Sequence, residues 1–181
     1  GFAPGGCCSR RTYLPNFGTV DLRRTFQQQK VVRYPVATIY KAVAAVDEYS
    51  DFLPWCLSSR VLARKSNRED GSVAPAEEKL TTEIEVGIAS LSAQFGSEVT
   101  LLPNERVHAV SEPNKYLENL IFTWHFAPIG EQACRIDLKL DFALRNAEHV
   151  LMWDMMKDRV VAEYLNCFQR RCAQLKARNV Q

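Results

Sequence analysis

Residues 134–177 read CRIDLKLDFALRNAEHVLMWDMMKDRVVAEYLNCFQRRCAQLKA, and the apolar period changes once along them. Cys134, Ile136, Leu138, Leu140, Phe142 and Leu144 alternate with Arg135, Asp137, Lys139, Asp141 and Ala143. Such alternation gives one apolar and one wet face, as in an antiparallel strand. Asn146 is then a good N-cap, with Glu148 in the first turn, where the helix dipole favours an acid. Beyond it Val150, Trp153, Met156, Val160, Tyr164, Phe168, Cys172 and Leu175 recur at helical spacing. From Glu148 to Ala177 such a helix is about 45 Å long. A helix of this length could enter a coiled coil, but the strands ahead of it argue for packing across a sheet.

Those strands are legible by the same period of two. Leu80, Thr82, Ile84 and Val86 alternate with Thr81, Glu83 and Glu85. Ala93, Phe95, Ser97, Val99 and Leu101 continue the pattern, as do Leu120, Phe122, Trp124 and Phe126. Gly71, Pro103-Asn104, Pro113-Asn114 and Gly130 supply turns. Upstream, Leu22 to Tyr34 reads as an extended strand, with Phe26, Gln28, Lys30, Val32 and Tyr34 on one face. Pro35 opens a helix at its first position, carrying Val36, Ile39, Tyr40, Val43 and Val46. A second short helix holds Tyr49, Phe52 and Leu53 until Pro54 stops it. The order is strand, two helices, about six strands and a long helix, an α+β arrangement in which a curved antiparallel sheet wraps the last helix. Where the helix does not fill the curve, a cavity suited to apolar ligands remains.

The 181 residues suit one domain, expected over residues 21–178. Apolar residues make up 46% and charged residues 24%, an ordinary globular balance. A net charge of +2 gives no ground to expect nucleic acid. No apolar run approaches the ~20 residues of a membrane span, so any membrane contact is expected to be peripheral. Cys7, Cys8, Cys56, Cys134, Cys167 and Cys172 show no Cys-x-x-Cys spacing and read as free thiols of a reducing compartment. Residues 1–20 hold Arg10 and Arg11 but no acid; this composition fits either a transit-peptide remnant or an ordinary irregular extension.

Catalytic signatures are missing. There is no Gly-rich phosphate loop and no Gly-x-Ser-x-Gly elbow. His108, His125 and His149 belong to different elements without metal-ligand spacing, and His125 and His149 read as surface groups. Asp154 and Asp158 read as a solvated helix face, and Glu83 and Glu85 as the wet side of a strand. Arg170, Arg171, Lys176 and Arg178 form a basic end that serves either the helix dipole or anionic lipid headgroups.

The run Tyr49-Ser50-Asp51-Phe52-Leu53-Pro54-Trp55-Cys56 resembles the signature of the mitochondrial coenzyme Q-binding family, within the START-like, polyketide cyclase-like superfamily. Glu83-x-Glu85-Val86-Gly87, Phe95-x-Ser97-x-Val99, Trp124-His125-Phe126-x-Pro128 and Cys134-x-Ile136-x-Leu138-x-Leu140-x-Phe142 follow in that family's order. The resemblance runs from about Arg24 to Ala173 and departs mainly around Ser66–Ala76. It implies a helix-grip fold with a hydrophobic tunnel holding ubiquinone or a related polyprenyl lipid. It also implies a mitochondrial matrix location peripheral to the inner membrane, and a lipid-chaperone role in ubiquinone synthesis and respiration, with respiratory-chain or ubiquinone-synthesis proteins as partners. No catalytic cofactor is implied. The same superfamily contains polyketide cyclases and a bacterial ribosome-associated branch.

On this reading Ile84, Val86, Phe95, Leu120, Phe122, Trp124 and Phe142 line the sheet side of the tunnel. Trp153, Met156, Val160 and Tyr164 line the helix side. Phe52, Leu53, Pro54 and Trp55 form its mouth, and residues 87–91 form an apolar gate. The plainer reading of the same residues is a filled core. Two other functions compete: a cyclase or hydratase, for which Tyr164 is the one inward acid-base candidate beside the hydroxyls of Thr82 and Ser97, and an accessory subunit docked on a respiratory complex or ribosome.

Overall fold

The computed structural model describes residues 20–67, 76–88 and 91–178. The expected N-terminal extension with Cys7 and Cys8, the Gly71 turn and the tip of the expected gate lie outside these residues. Strand β1 (Arg23–Val32) leads into α1 (Val36–Ala44), a 3-10 turn (Val46–Glu48) and α2 (Tyr49–Phe52). Strands β2 (Cys56–Asn67), β3 (Glu77–Ile88), β4 (Leu91–Leu102), β5 (Arg106–Ser111), β6 (Leu117–Gly130) and β7 (Ala133–Leu144) follow, and α3 (Ala147–Arg178) closes the chain.

The seven strands form one antiparallel sheet in the order β1-β7-β6-β5-β4-β3-β2. Sequential neighbours pair as hairpins, and only β1 crosses over, to pair with β7. The sheet is open and curved, and it wraps α3 in the helix-grip arrangement. Pro35 stands at the N-cap of α1, one place before the position expected for it, with φ −55° and ψ 149°. Asn104 turns the chain between β4 and β5 at φ 59°, a left-handed conformation that Asn tolerates. At the start of α3 the Asn146 Oδ1 accepts the His149 N–H at 3.0 Å, which caps the helix as its sequence predicts.

Two elements escape the period of two. Strand β2 carries register shifts between Cys56 and Ser58 and between Val61 and Ala63. Each shift moves the following side chains to the other face, so Leu57 and Leu62 point to solvent and the alternation is lost. Strand β5 is only 6 residues long, too short for periodicity to declare itself.

The core has two parts. The larger joins α1, the sheet and the C-terminal half of α3, through Ile39, Val43, Trp124, Ile136, Leu138, Leu165, Phe168 and Cys172. Phe168, 1% exposed, meets Tyr49, Phe52, Trp124 and Tyr164 edge to face at 5.5, 5.1, 5.2 and 4.9 Å. Each such pair adds about 0.5–1.5 kcal/mol beyond area burial. The smaller part sits at the start of α3, where Val150 packs on Leu117, Leu140, Phe142 and Leu144.

Charges reinforce both ends of α3. The expected basic end is only partly free. Arg171 is buried, pairs with Glu48 of the 3-10 turn and lies 5.6 Å from the Phe52 ring centroid. Arg170 pairs with Glu163 at 2.8 Å. Asp154 lies on the exposed helix face expected for it and there accepts two hydrogen bonds from Arg24 of β1, Nε at 3.0 Å and Nη2 at 2.9 Å. His149 packs edge to face on Tyr116 at 5.2 Å rather than standing free.

Phe168→Ala should therefore lower unfolding stability by about 3–5 kcal/mol in urea titration, and a loss below about 1.5 kcal/mol would contradict its place at the centre of the core. The Arg24 hydrogen bond holds the Asp154 carboxyl below its ordinary range. This latch is complete above the usual carboxylate range and is lost as pH falls through the lowered Asp154 value. Asp154→Asn should accelerate hydrogen exchange over residues 150–158 and leave residues 165–175 protected, and acidification should reproduce that pattern.

Candidate functional site: a gap under the middle of the long helix

Side chains on the concave face of the sheet follow from the register. Thr82 pairs with Ser97, Ile84 with Phe95 and Val86 with Ala93. Ser97 pairs with Ser111 and Val99 with Ala109. Ser111 pairs with Leu120 and Ala109 with Phe122, and Leu120 pairs with Phe142. These positions alternate with outward Glu83, Glu85 and His125, so all point toward α3.

The concave face is not uniformly buried. Trp124 is 2% exposed and Phe142 lies beneath Trp153, ring centroids 4.8 Å apart. Ile84, Val86, Phe95, Leu120 and Phe122 keep part of their surface although they face inward. Opposite them Trp153, Met156, Val160 and Tyr164 are also half-buried, while Val150 before them and Leu165 and Phe168 after them are buried. Phe26, Phe122 and Trp153 border both parts of the core. These half-buried residues form a ring between the two packed ends of α3, which is the candidate site, hereafter the gap.

Tyr164 anchors the edge of this gap. Its ring stacks on Trp55 at 6.5 Å and leans on Phe122 and Trp124, each at 5.9 Å. Burial pushes its phenol well above the ordinary tyrosine range, partly offset by a hydrogen bond from the Trp124 side chain. A phenol held protonated in this way is a poor general base.

The expected mouth residues divide. Trp55 borders the gap. Phe52 and Leu53 turn into the core, Phe52 against Tyr49 and Phe168, and Pro54 is exposed. Periodicity missed Ser111, because β5 was not legible, and it also missed the lining contribution of Phe26, whose strand looked mixed in polarity. Val107, Ala109 and Ser111 do alternate, but over too few residues to declare a strand.

Among the described residues, no group of His, Cys, Asp and Glu is placed to hold a metal ion, and no helix is long and apolar enough to cross a membrane. Cys56, Cys134, Cys167 and Cys172 are free and buried; burial raises all four thiols, Cys172 to about 12, so they are packing groups.

Residues 32–169 match the family described as polyketide cyclase / dehydrase and lipid transport. The chain is 27% identical to the mitochondrial coenzyme Q-binding protein COQ10 homolog B of Xenopus laevis, over 86% of this chain and 61% of that protein's length. It is 31% identical to the ribosome association toxin RatA of Pseudomonas aeruginosa, over 64% of this chain and 72% of the toxin. Its fold is similar to the Zhui aromatase/cyclase of a Streptomyces species, with a TM-score of 0.68 at 16% identity over 84% of this chain and 94% of the enzyme. The two curated relatives carry different descriptions, so likeness does not separate a coenzyme Q-binding member from a ribosome-associating one. The chain belongs to the polyketide cyclase / dehydrase and lipid transport family, whose match covers residues 32–169.

Proposed function

We propose that this domain holds an apolar ligand of the prenyl-lipid class, ubiquinone or a relative, in the gap under α3, and that it binds this ligand rather than transforming it. The observation that carries this reading is the ring of inward-facing yet half-buried apolar residues between two packed ends of one helix. A filled core would have buried them. Each five-carbon unit moved out of water contributes roughly 3–4 kcal/mol at about 0.8 kcal/mol per methylene, so the gap needs apolar walls and no reactive group. Trp55, Ile84, Val86, Phe95, Leu120, Phe122, Trp153, Met156, Val160 and Tyr164 form those walls. Phe142 supports them, and Phe52, Leu53 and Trp124 shape the gap from the core side. The likeness to coenzyme Q-binding proteins supports ubiquinone and a place in the mitochondrial matrix at the inner membrane.

A second reading has the stronger support from likeness: an accessory domain docked on a larger assembly, the ribosome or a respiratory complex, with or without a structural lipid. The ribosome association toxin is the more identical of the two curated relatives, and a larger share of its length is matched. The outer side of α3 supports a docking surface, because Leu151, Met152 and Met155 are 66%, 43% and 88% exposed on neighbouring turns. Large apolar side chains clustered on a surface mark contact sites. With Arg170 and Arg171 engaged internally, this apolar patch is a better contact than the basic helix end.

Organic extraction of native protein followed by mass spectrometry tests the ligand reading. A stoichiometric prenyl lipid is the expected result; an empty protein that also refuses added quinone would remove it. Trp55→Ala should weaken quinone binding about tenfold while the domain stays folded. Native sizing tests docking: co-migration with ribosomes or a respiratory complex that is lost in a Leu151→Ser, Met152→Ser, Met155→Ser variant would establish it, and migration as the free domain in fresh lysate would rule it out.

A further inference from the structure

The concave face carries one row that breaks its apolar character. Thr82 of β3, Ser97 of β4 and Ser111 of β5 are successive register partners, so their side chains lie side by side on the concave face. Leu120 continues the row on β6. From β3 to β6 the rows to either side hold Ile84 and Phe95, and Leu80, Val99, Ala109 and Phe122, none of them polar, while Ser59 of β2 joins the Ile84 row and accepts the Ser50 N–H. Directly opposed side chains in such a ladder stand about 5 Å apart, close enough for one ligand group to reach two of them.

The hydroxyls are not equivalent. Thr82 is 0% exposed, and its Oγ1 donates to the Ser97 carbonyl at 3.3 Å, so its hydroxyl is already engaged. Ser111 is 8% exposed, and its Oγ has no partner. A buried hydroxyl without a partner is costly and uncommon, and alanine at this strand position would avoid the cost. The Ser111 Oγ is sealed from solvent, and the register partner of Ser111 on β6 is half-buried Leu120. No charged side chain occupies this row or the two beside it from β3 to β6, which disfavours an anionic headgroup and favours a neutral acceptor.

We infer that the Thr82–Ser97–Ser111 band is the polar end of the site and that Ser111 donates a hydrogen bond to a neutral carbonyl oxygen of the bound ligand. The ligand lies head down on the sheet, with its carbonyl on β5 and its apolar tail under Trp153 and Met156. This inference rests on the apolar-ligand reading above and narrows it to carbonyl-bearing lipids such as quinones.

The test compares two probes on the folded protein: a short-tailed benzoquinone and a benzene with the same tail and no carbonyl. The proposal expects wild-type protein to bind the quinone more tightly than the hydrocarbon. Ser111→Ala should lose about five- to tenfold in quinone affinity with hydrocarbon affinity unchanged. It should also melt at the same or a higher temperature when empty, because it removes an unpartnered hydroxyl. The carbonyl stretch of the bound quinone, lowered by the hydrogen bond in wild type, should move back up in the variant. Equal quinone affinity in wild type and Ser111→Ala overturns the inference while leaving the apolar site intact. So does a parallel loss of both probes together with a lower melting temperature, which would make Ser111 a structural residue. Failure of wild-type protein to bind either probe overturns the apolar-ligand reading itself, and this inference with it.

Discussion

Phe168 stands where three parts of the chain meet, and the arrangement of the others depends on it. Its ring meets Tyr49 and Phe52 from the segment after α1, Trp124 from the middle of the sheet and Tyr164 one turn earlier on α3. Tyr49 is held in turn by donating its hydroxyl to the Val43 carbonyl at 2.5 Å. The Arg171–Glu48 pair closes the same junction from its rim. Half of α3 is therefore bound along one line by aromatic edges that fit in few ways.

The gap follows from that anchoring. A helix of 32 residues is close to a straight rod about 48 Å long, whereas an antiparallel sheet of seven strands twists and curves. The helix is packed on the sheet at both ends, and the side chains between those ends are less buried. Val150 and the Arg24–Asp154 pair supply the second fixed end. Over the intervening stretch Val161 is buried, whereas Trp153, Met156, Val160 and Tyr164 stay half-buried. Ionised groups are kept out of the inner wall there, because burying one without a partner costs several kcal/mol. Arg24, on the same strand face as Phe26, is held by the Asp154 carboxylate and by the backbone carbonyls of Asp21 and Arg23.

Sequence likeness links this chain to a coenzyme Q-binding protein and to a ribosome association toxin, and its fold is similar to that of an aromatase/cyclase. A fold that makes a gap by geometry leaves its lining and its outer surface free to vary, and function is carried by those surfaces. In this chain the concave face from β3 to β6 is apolar with one hydroxyl row, and the outer side of α3 carries exposed Leu151 and Met155.

Much of the fold was legible before any tertiary information. The period of two over β3, β4, β6 and β7 and the helical stripe of α3 are local consequences of backbone geometry, and the Asn146 cap needs only neighbours three residues away. Strand β2 was hidden because two register shifts scramble its alternation, and β5 because 6 residues hold too few periods. The site was legible as a list of apolar positions but not as a cavity. Alternation states which face a residue occupies, and a filled core and a gap have the same alternation. Trp124 and Phe122 share one face two residues apart, yet one is sealed and the other borders the gap. The pairing of Arg24 with Asp154, 130 residues away, likewise has no local signal. By itself the sequence determined which residues face inward, since that depends only on local period. How far the helix stands from the sheet, and so which inward residues meet space rather than each other, was decided only when the curve of the sheet met the rod of the helix.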